Sequence, residues 1–190
     1  MTKHFISRIT VALMALYALT IPAFAQKVIV VDSTEILGKS QVGQHIDRQL
    51  KSIEASMKNE LKLLSSPIET EAKSLAEQTK GMTMETLKGR SDLTSRITEN
   101  QKKMAKFQYE EQMKAREIAI TRNKALASVA KKIDTILTSL AREKGADVVL
   151  DRKDTVYVNP SVNMTQTVIS RLNSQMPTTP VNRERLPRKQ

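Results

Sequence analysis

The sequence predicts a mainly α-helical protein in which a long antiparallel helical hairpin, a coiled-coil-like arm, stands on a small strand-built body. Three observations lead to this fold class: an eleven-residue apolar repeat, a near absence of aromatic residues, and short β-branched runs on either side of the helical part. Aromatic residues make up 3% of the 190 residues, Trp is absent and there are five Gly. This composition argues against a large aromatic core and against a Gly-rich β architecture.

The apolar repeat defines the outgoing helix of the hairpin. Small and apolar residues follow one another at spacings of 4, 4 and 3, which amounts to about 3.67 residues per turn. A stripe with this period stays on one side of a nearly undistorted helix, so the helix can be long and still need one partner. The stripe consists of Val42, Ile46, Leu50, Ile53, Met57, Leu61, Leu64, Ile68, Ala72 and Leu75.

A second stripe with the same spacing supplies the partner helix, although Arg122 occupies one of its positions. Its other members are Ala115, Ile118, Leu126, Val129, Ile133, Leu137 and Leu140. We expect helices over about 41–80 and 91–144, so that the arm comprises residues 41–144 with its tip at about 81–90. Gly145 suits the left-handed position past a helix end, and Pro67 predicts a kink near residues 65–67.

The body is predicted from residues 26–40 and 145–173. The β-branched run at 27–32 indicates a buried strand. Two further strands, at 147–151 and 155–158, are predicted to form a hairpin through the turn at 152–154. Asn163, with Gln166 three residues later, has the spacing of a capping box and predicts a helix that ends near Asn173.

The first 25 residues have the composition of a secretory signal peptide. Lys3 and Arg8 precede a mostly apolar run, and a small-residue A-x-A site ends at Ala25, which predicts cleavage before Gln26. A transmembrane anchor is the alternative, but it would need about 20 apolar residues. The chain has no Cys, which excludes a lipid-attachment cysteine and a disulfide framework.

The chain is strongly basic and therefore suited to acidic partners. The first 25 residues contain two of the 31 Lys and Arg and none of the 20 Asp and Glu, so residues 26–190 carry a formal net charge of +9. The clusters Lys102, Lys103, Lys106 and Arg183, Arg185, Arg188, Lys189 could meet phosphates; alternatively they are solvated faces that keep the protein soluble. Export argues against nucleic acid as the partner. Residues 174–190, with three Pro and no periodicity, predict a disordered basic tail.

The sequence contains no pattern typical of an active site. His45 is the one histidine after residue 25, and no phosphate-binding glycine loop or paired metal-ligand spacing occurs. Asp32, Asp147, Asp151 and Asp154 flank predicted strands, where they are interpreted as strand ends and turn formers. We expect no enzyme activity, no cofactor and no metal.

Several segments together resemble the Skp, or OmpH-like, family of periplasmic chaperones. They are V-I-V-V-D at 28–32, S-Q-V-G at 40–43, the long charged hairpin, G-A-D-V-V-L-D at 145–151, and Y-V-N-P-S-V-N-M-T at 157–165 with R-L-N at 171–173. The C-terminal portion is the most specific, because strand, turn and capped helix follow in order. The family commonly has Asp where this chain has Asn163, and the tail after Ser174 is additional.

The resemblance implies a periplasmic homotrimer that holds unfolded outer-membrane proteins without ATP, in a cavity between three arms, before membrane assembly. The trimer body would include Val28, Val30, Val149, Val156, Tyr157 and Pro160. Adaptable apolar side chains suit weak, multiple client contacts, and the candidates are Met82, Met84, Leu87, Met104, Phe107 and Met113. Packing within the hairpin is the alternative role for each Met, including Met57. Anionic lipid or lipopolysaccharide could bind the basic faces.

Two other classes of function stay open at this point. A basic histone-like nucleic-acid-binding protein would show salt-sensitive DNA affinity inside cells. An envelope-structural coiled coil would bridge fixed partners without turnover of clients. Cellular fractionation distinguishes the first from an exported chaperone, and the stoichiometry of captured partners distinguishes the second.

Overall fold

The computed structural model describes residues 26–188 of the chain. The predicted signal peptide, with its cleavage site at Ala25, lies outside these residues. In chain order the elements are strand β1 (Val28–Val31), helices α1 (Ser33–Lys39), α2 (Gln41–Thr79), α3 (Met84–Lys88) and α4 (Ser91–Lys144), strand β2 (Val148–Asp151) and helix α5 (Thr165–Gln175). Short 3-10 turns occupy Arg152–Asp154 and Pro160–Val162.

Helices α2 and α4 form the antiparallel arm that the apolar stripes predict. They contain 39 and 54 residues, so at a rise of 1.5 Å per residue they extend for roughly 60 and 80 Å. Helix α2 continues without interruption through Pro67. The tip contains a turn at Gly81, whose φ of +77° is in the left-handed region, followed by the short helix α3.

The stripe on α2 packs largely as predicted, and the apolar stripe members on α4 from Ile118 onward are buried or pack against the core, while Ala115 is exposed. Six members on α2 are buried, but Leu64 is 45% exposed and Ala72 is also exposed. On α4 the middle of the buried face passes through polar residues that the predicted stripe does not include. The buried residues between 113 and 140 are Met113, Lys114, Glu117, Thr121, Ala125, Val129, Ile136 and Leu140.

The end of α4 confirms the role predicted for Gly145, whose φ is +60°. The amide of Gly145 donates to the carbonyl of Arg142, and the amide of Ala146 donates to the carbonyl of Ala141 at 2.8 Å. These two bonds form a Schellman motif, which satisfies helix-terminal carbonyls and reverses the chain. The chain then enters β2 beside β1.

The predicted hairpin of strands 147–151 and 155–158 is wrong. Strand β2 pairs in parallel with β1, in a register that sets Val28 opposite Val148 and Val31 opposite Asp151. Residues 155–158 follow a 3-10 turn and are not a strand in the described chain. A strand needs a neighbour for its backbone groups, and the edge of β1 is instead approached by residues 163–164, where the amide of Met164 donates to the carbonyl of Val30.

Helix α5 is present, but its start differs from the predicted capping box. Asn163 Oδ1 accepts from the amide of Thr165 at 3.0 Å, and Gln166 donates to Glu35 on α1 instead of returning to the helix start. A tertiary partner on α1 therefore replaces the local bond. Asn173 reaches back to the arm, because its Oδ1 accepts from the amide of Gln41 at the start of α2.

Residues 174–188 are not the disordered tail that the sequence predicts. Helix α5 continues to Gln175, and residues 176–188, which we call the strap, run along the arm. Met176 and Val181 pack against the main apolar core, and Thr179 is buried. The three prolines keep this segment from forming a helix, but they do not prevent it from docking on one.

Candidate functional site

The outer half of the arm carries an apolar groove that is open to solvent. Leu63 is 77% exposed and Leu64 is 45% exposed, although both lie on a helix that has a partner. With Pro67, Ile68 and Phe107 they line a hollow of about 390 Å³. Lys103, Lys106 and Glu110 complete its lining. The groove is thus apolar inside and charged at its edge, which is a suitable form for an apolar chain segment in water.

Of the residues that line this groove, the sequence predicts Phe107 as a client contact and Lys103 and Lys106 as part of a basic cluster. It does not predict Leu63, and it assigns Leu64 and Ile68 to the packed stripe and Pro67 to a kink. Leu63 is the residue in the sequence that could have indicated an exposed apolar surface here. It is a large apolar residue outside the eleven-residue stripe, so the pattern leaves it without a partner helix. Pairing it with Leu64 on a helix puts apolar side chains on two neighbouring faces, only one of which the partner helix can cover.

The six predicted client-contact residues do not form one surface. Met84 is 73% exposed at the tip, with Met82 and Leu87 half-buried beside it in the chain. Met104 and Phe107 are half-buried further along α4. Met113 is only 7% exposed and belongs to the packed interior of the arm.

The six predicted trimer-body residues also divide into two groups. Val30 is buried, and Val28 and Val149 are half-buried in the parallel sheet. Val156 and Tyr157 are far more accessible, at 108% and 78% exposure, and Pro160 is exposed as well. Apolar residues this accessible in a body with a packed core form a surface that a single chain leaves uncovered.

A second hollow of the body lies between α4 and the sheet. It measures about 680 Å³, and its lining includes Val31, Leu137, Val149 and Leu150. Val148 and Leu150 in β2 are each 38% exposed. Val148 and Leu150 in β2, and Val156 and Tyr157 shortly after it in the chain, are therefore all exposed apolar side chains of the body.

The aspartates near the strands have structural roles, as the sequence predicts. Asp32 Oδ1 accepts from the amide of Glu35 at the start of α1, and the Asp147 carboxylate accepts from the amide of Lys27. Asp151 accepts from the hydroxyl of Ser33 and from the amide of Lys153. Within residues 26–188, no group of three or more His, Cys, Asp and Glu is arranged to hold a metal ion.

The strap makes the densest ionic contacts of the arm. Arg183 donates through both terminal nitrogens to the Glu60 carboxylate, at 2.6 and 3.1 Å, and also reaches Glu117 at 3.3 Å. Arg188 donates to Glu117 at 2.7 Å and to Glu110 at 2.9 Å. Two of the four basic tail residues that could have met phosphates are therefore paired with carboxylates of the same chain.

These contacts lower the pKa values of the carboxylates involved. Hydrogen bonds from Arg183 and Lys114 hold the pKa of Glu60 at about 2. Burial acts to raise the pKa of Glu117, but donors from Arg188, the Leu186 amide and Arg183 outweigh it and keep the pKa below its ordinary value. Both groups are therefore ionised at neutral pH.

The fold defines a class of protein with a long helical-hairpin arm on a small α/β body. A family model described as outer membrane protein (OmpH-like) matches residues 27–172, and the chain belongs to this family. The crystal structure of an OmpH-like candidate outer membrane chaperone from Caulobacter crescentus CB15 is similar, with a TM-score of 0.72 and 26% identity over 85% of this chain and 92% of that one. Comparison with curated proteins found no match.

Family membership confirms the resemblance that the sequence motifs indicate, and the similar structure confirms the mainly helical fold. The matched region begins within the described residues and ends in α5, so the strap lies beyond it. Across residues 26–188, no helix combines the length and apolar character needed to cross a membrane.

Proposed function

We propose that this protein is a periplasmic, ATP-independent holdase that binds unfolded outer-membrane proteins between the arms of a homotrimer. The observation that carries the proposal is the open apolar groove at Leu63, Leu64 and Phe107 on an otherwise charged arm. Membership of the OmpH-like family and the similarity to a candidate outer membrane chaperone support it.

The chemistry of the groove suits clients of this kind. An unfolded outer-membrane barrel protein exposes lipid-facing apolar side chains and unpaired strand edges, which aggregate in water. A shallow apolar groove shields such side chains without imposing a fold. The net positive charge of the chain speeds capture of acidic clients and keeps arms apart.

The exposed apolar residues of the body support the proposed trimer. Val156 and Tyr157 protrude from a segment that has strand-forming residues but no strand partner among residues 26–188. A neighbouring chain would supply the missing partner and cover the outer side of β2. The arms, which begin at the body, would then enclose a common space.

The proposal includes export and the absence of catalysis. The signal sequence ending at Ala25 would deliver the chain to the periplasm, where ATP is not available as an energy source. Binding and release must then depend on weak contacts alone. The role of anionic lipid or lipopolysaccharide as a further partner rests on the basic faces of the arm, including Lys103 and Lys106 at the groove.

The deciding experiment is light scattering of the purified protein, alone and after an unfolded outer-membrane barrel protein is diluted into it. We expect a trimer that keeps the client soluble in a discrete complex. Val156→Asp should shift the mass toward monomer, whereas Thr34→Asp, an equal charge change at an exposed position of α1, should not. A monomeric wild-type protein that forms no client complex would refute the proposal.

The other two functions are outcomes of the same set of measurements. DNA affinity that falls steeply with salt, together with uncleaved protein in the cytoplasm, would indicate a histone-like protein. Capture of one partner at fixed stoichiometry, without client turnover, would indicate an envelope-structural coiled coil.

A further inference from the structure

The middle of the arm contains a set of three carboxylates, of which only Glu110 also lines the apolar groove. Glu60 projects from α2, and Glu110 and Glu117 project from α4. Glu117 is 1% exposed, and it lies one helical turn before Thr121, which is equally buried. Three acidic side chains close together are unexpected in an arm of a protein with net charge +11. We call Glu60, Glu110, Glu117 and Thr121 the acidic slot.

Every member of the acidic slot is bound by the strap. The guanidinium of Arg183 engages Glu60 bidentately, and that of Arg188 lies between Glu117 and Glu110. Paired N–H donors on a planar fork match a carboxylate in geometry as well as charge, which makes such contacts selective for Arg over Lys. The side chains of Arg183 and Arg188, five residues apart, are thus bound by three carboxylates.

The slot also binds the backbone of the strap. The amide of Glu184 donates to Thr121 Oγ1 at 2.9 Å, and the amide of Leu186 donates to Glu117 Oε1 at 3.1 Å. These bonds come from alternate residues of a segment that is neither helix nor strand, and acceptors on one helix face can reach both amides when the segment is extended. Pro180 and Pro187 flank this stretch and favour the extended form.

We propose that the acidic slot is a binding site for extended, arginine-bearing segments, and that the strap is its resident ligand. The site shares Glu110 with the edge of the apolar groove, whereas Glu60, Glu117 and Thr121 lie outside the lining of the groove. Because Arg183 contacts Glu60 on α2 and Glu117 on α4, an occupied slot also braces the two helices against each other. An empty slot leaves Glu110 and Glu117 without their arginine partners, while Glu60 keeps its ion pair with Lys114.

The test measures hydrogen exchange at the amides of Glu184 and Leu186 in the purified protein. Glu117→Gln removes the charge with almost no change of shape, and we expect exchange at both amides to rise at least about tenfold, equivalent to about 1.4 kcal/mol. Glu111→Gln makes the same change at an exposed position of α4 and should leave both rates unchanged.

A second pair of variants changes residues of the strap and leaves the residues of the arm unaltered. Misfolding of the arm would therefore not explain their effects. Arg183→Lys keeps the positive charge but loses the paired N–H donors of the guanidinium. It should raise hydrogen exchange at the amides of the strap, at amides of α2 near Glu60 and at amides of α4 near Glu117. Arg185→Lys changes an exposed residue between the two anchors and should have no effect. Equal exchange in wild type, Glu117→Gln and Arg183→Lys would overturn the proposal, as would equal effects of Arg183→Lys and Arg185→Lys.

Discussion

The α-carbon of Gly43 lies so close to the carbonyl oxygen of Leu37 that a β-carbon on residue 43 would be 1.7 Å from it. Gly43 is in the first turn of α2, and Leu37 is near the end of α1. Only a residue without a side chain lets the two helices meet at this angle, with Ser40 capping α2 through the amide of Gly43. The S-Q-V-G motif thus has a steric basis.

Replacing Gly43 by Ala should therefore destabilise the protein. Ala in a helix is favoured over Gly by about 1 kcal/mol, but the clash is with backbone, and overpacking of this kind costs about 1–3 kcal/mol or more. The cost of the clash should exceed the gain in helix propensity, so the midpoint of chemical denaturation should fall. Gly38→Ala is the matched control, because Gly38 is helical and a β-carbon added there would have nothing within 4 Å of it. A Gly43→Ala protein as stable as Gly38→Ala would contradict the clash.

Thr165→Val should weaken the attachment of α5 to Asp32, the residue that joins β1 to α1. The buried Thr165 hydroxyl accepts from the amide of Asp32 at 2.9 Å and donates to Asn163 Oδ1 at 2.6 Å. Val has the same shape but leaves the Asp32 amide unpaired, which costs about 1–3 kcal/mol. Denaturant unfolding measures the loss. Thr34→Val, at an exposed position, should change the free energy of unfolding by less than about 0.5 kcal/mol, and equal effects of the two variants would show that the hydroxyl bond is unimportant.

The contribution of Glu60 to stability should disappear in acid. Its folded pKa of about 2 lies below the ordinary value of 4.5, so the ionised carboxylate stabilises the fold above pH 4.5 and this contribution is lost as the pH falls toward 2. The melting temperature of wild type should exceed that of Glu60→Gln at pH 7, and the difference should shrink between pH 4.5 and 2. Glu69→Gln, exposed on the same helix, should show no such trend. A difference that stays constant with pH would mean that the ion pairs with Arg183 and Lys114 do not stabilise the fold.

Leu63→Ser combined with Leu64→Ser should weaken client binding without unfolding the arm. Both side chains are substantially exposed, so the loss of packing is small, while loss of the groove's apolar surface should raise the Kd for an unfolded outer-membrane protein about fivefold, a change of about 1 kcal/mol. Gln44→Ser combined with Gln49→Ser alters two exposed polar positions on the same helix, α2, and serves as the control. An unchanged Kd in the leucine variant would place the client elsewhere.

The long helices could be predicted because their information is local and periodic. Val42, Ile46 and Leu50 repeat at helical spacing, and all three are buried. Gly145 likewise carries its conformational preference in its own residue type. The six proposed client contacts were less predictable, since the sequence does not say which half-exposed residues share a surface.

The misses arise where distant partners compete with local patterns. Gln166 has the right spacing for a capping box but bonds to Glu35, which is 131 residues away in the chain. Thr155 and Val156 have strand-forming side chains but no strand partner in the described chain. Glu117 looks like one more solvated charge until Arg183 and Arg188, more than 60 residues later, are placed beside it.

The sequence by itself was sufficient to predict the helical hairpin and the glycine at the end of its second helix, because helical periodicity and the left-handed preference of glycine are local properties. It was also sufficient to indicate the family, because the order of the motifs can be read along the chain. The three-dimensional arrangement was needed to establish that β1 and β2 are parallel, that the tail is an ordered strap, and that the acidic slot exists. The physical reason is that sheet pairing and ion pairing depend on which groups meet in space. The residues that neighbour a charged or β-branched side chain in the sequence do not determine which distant group it will contact.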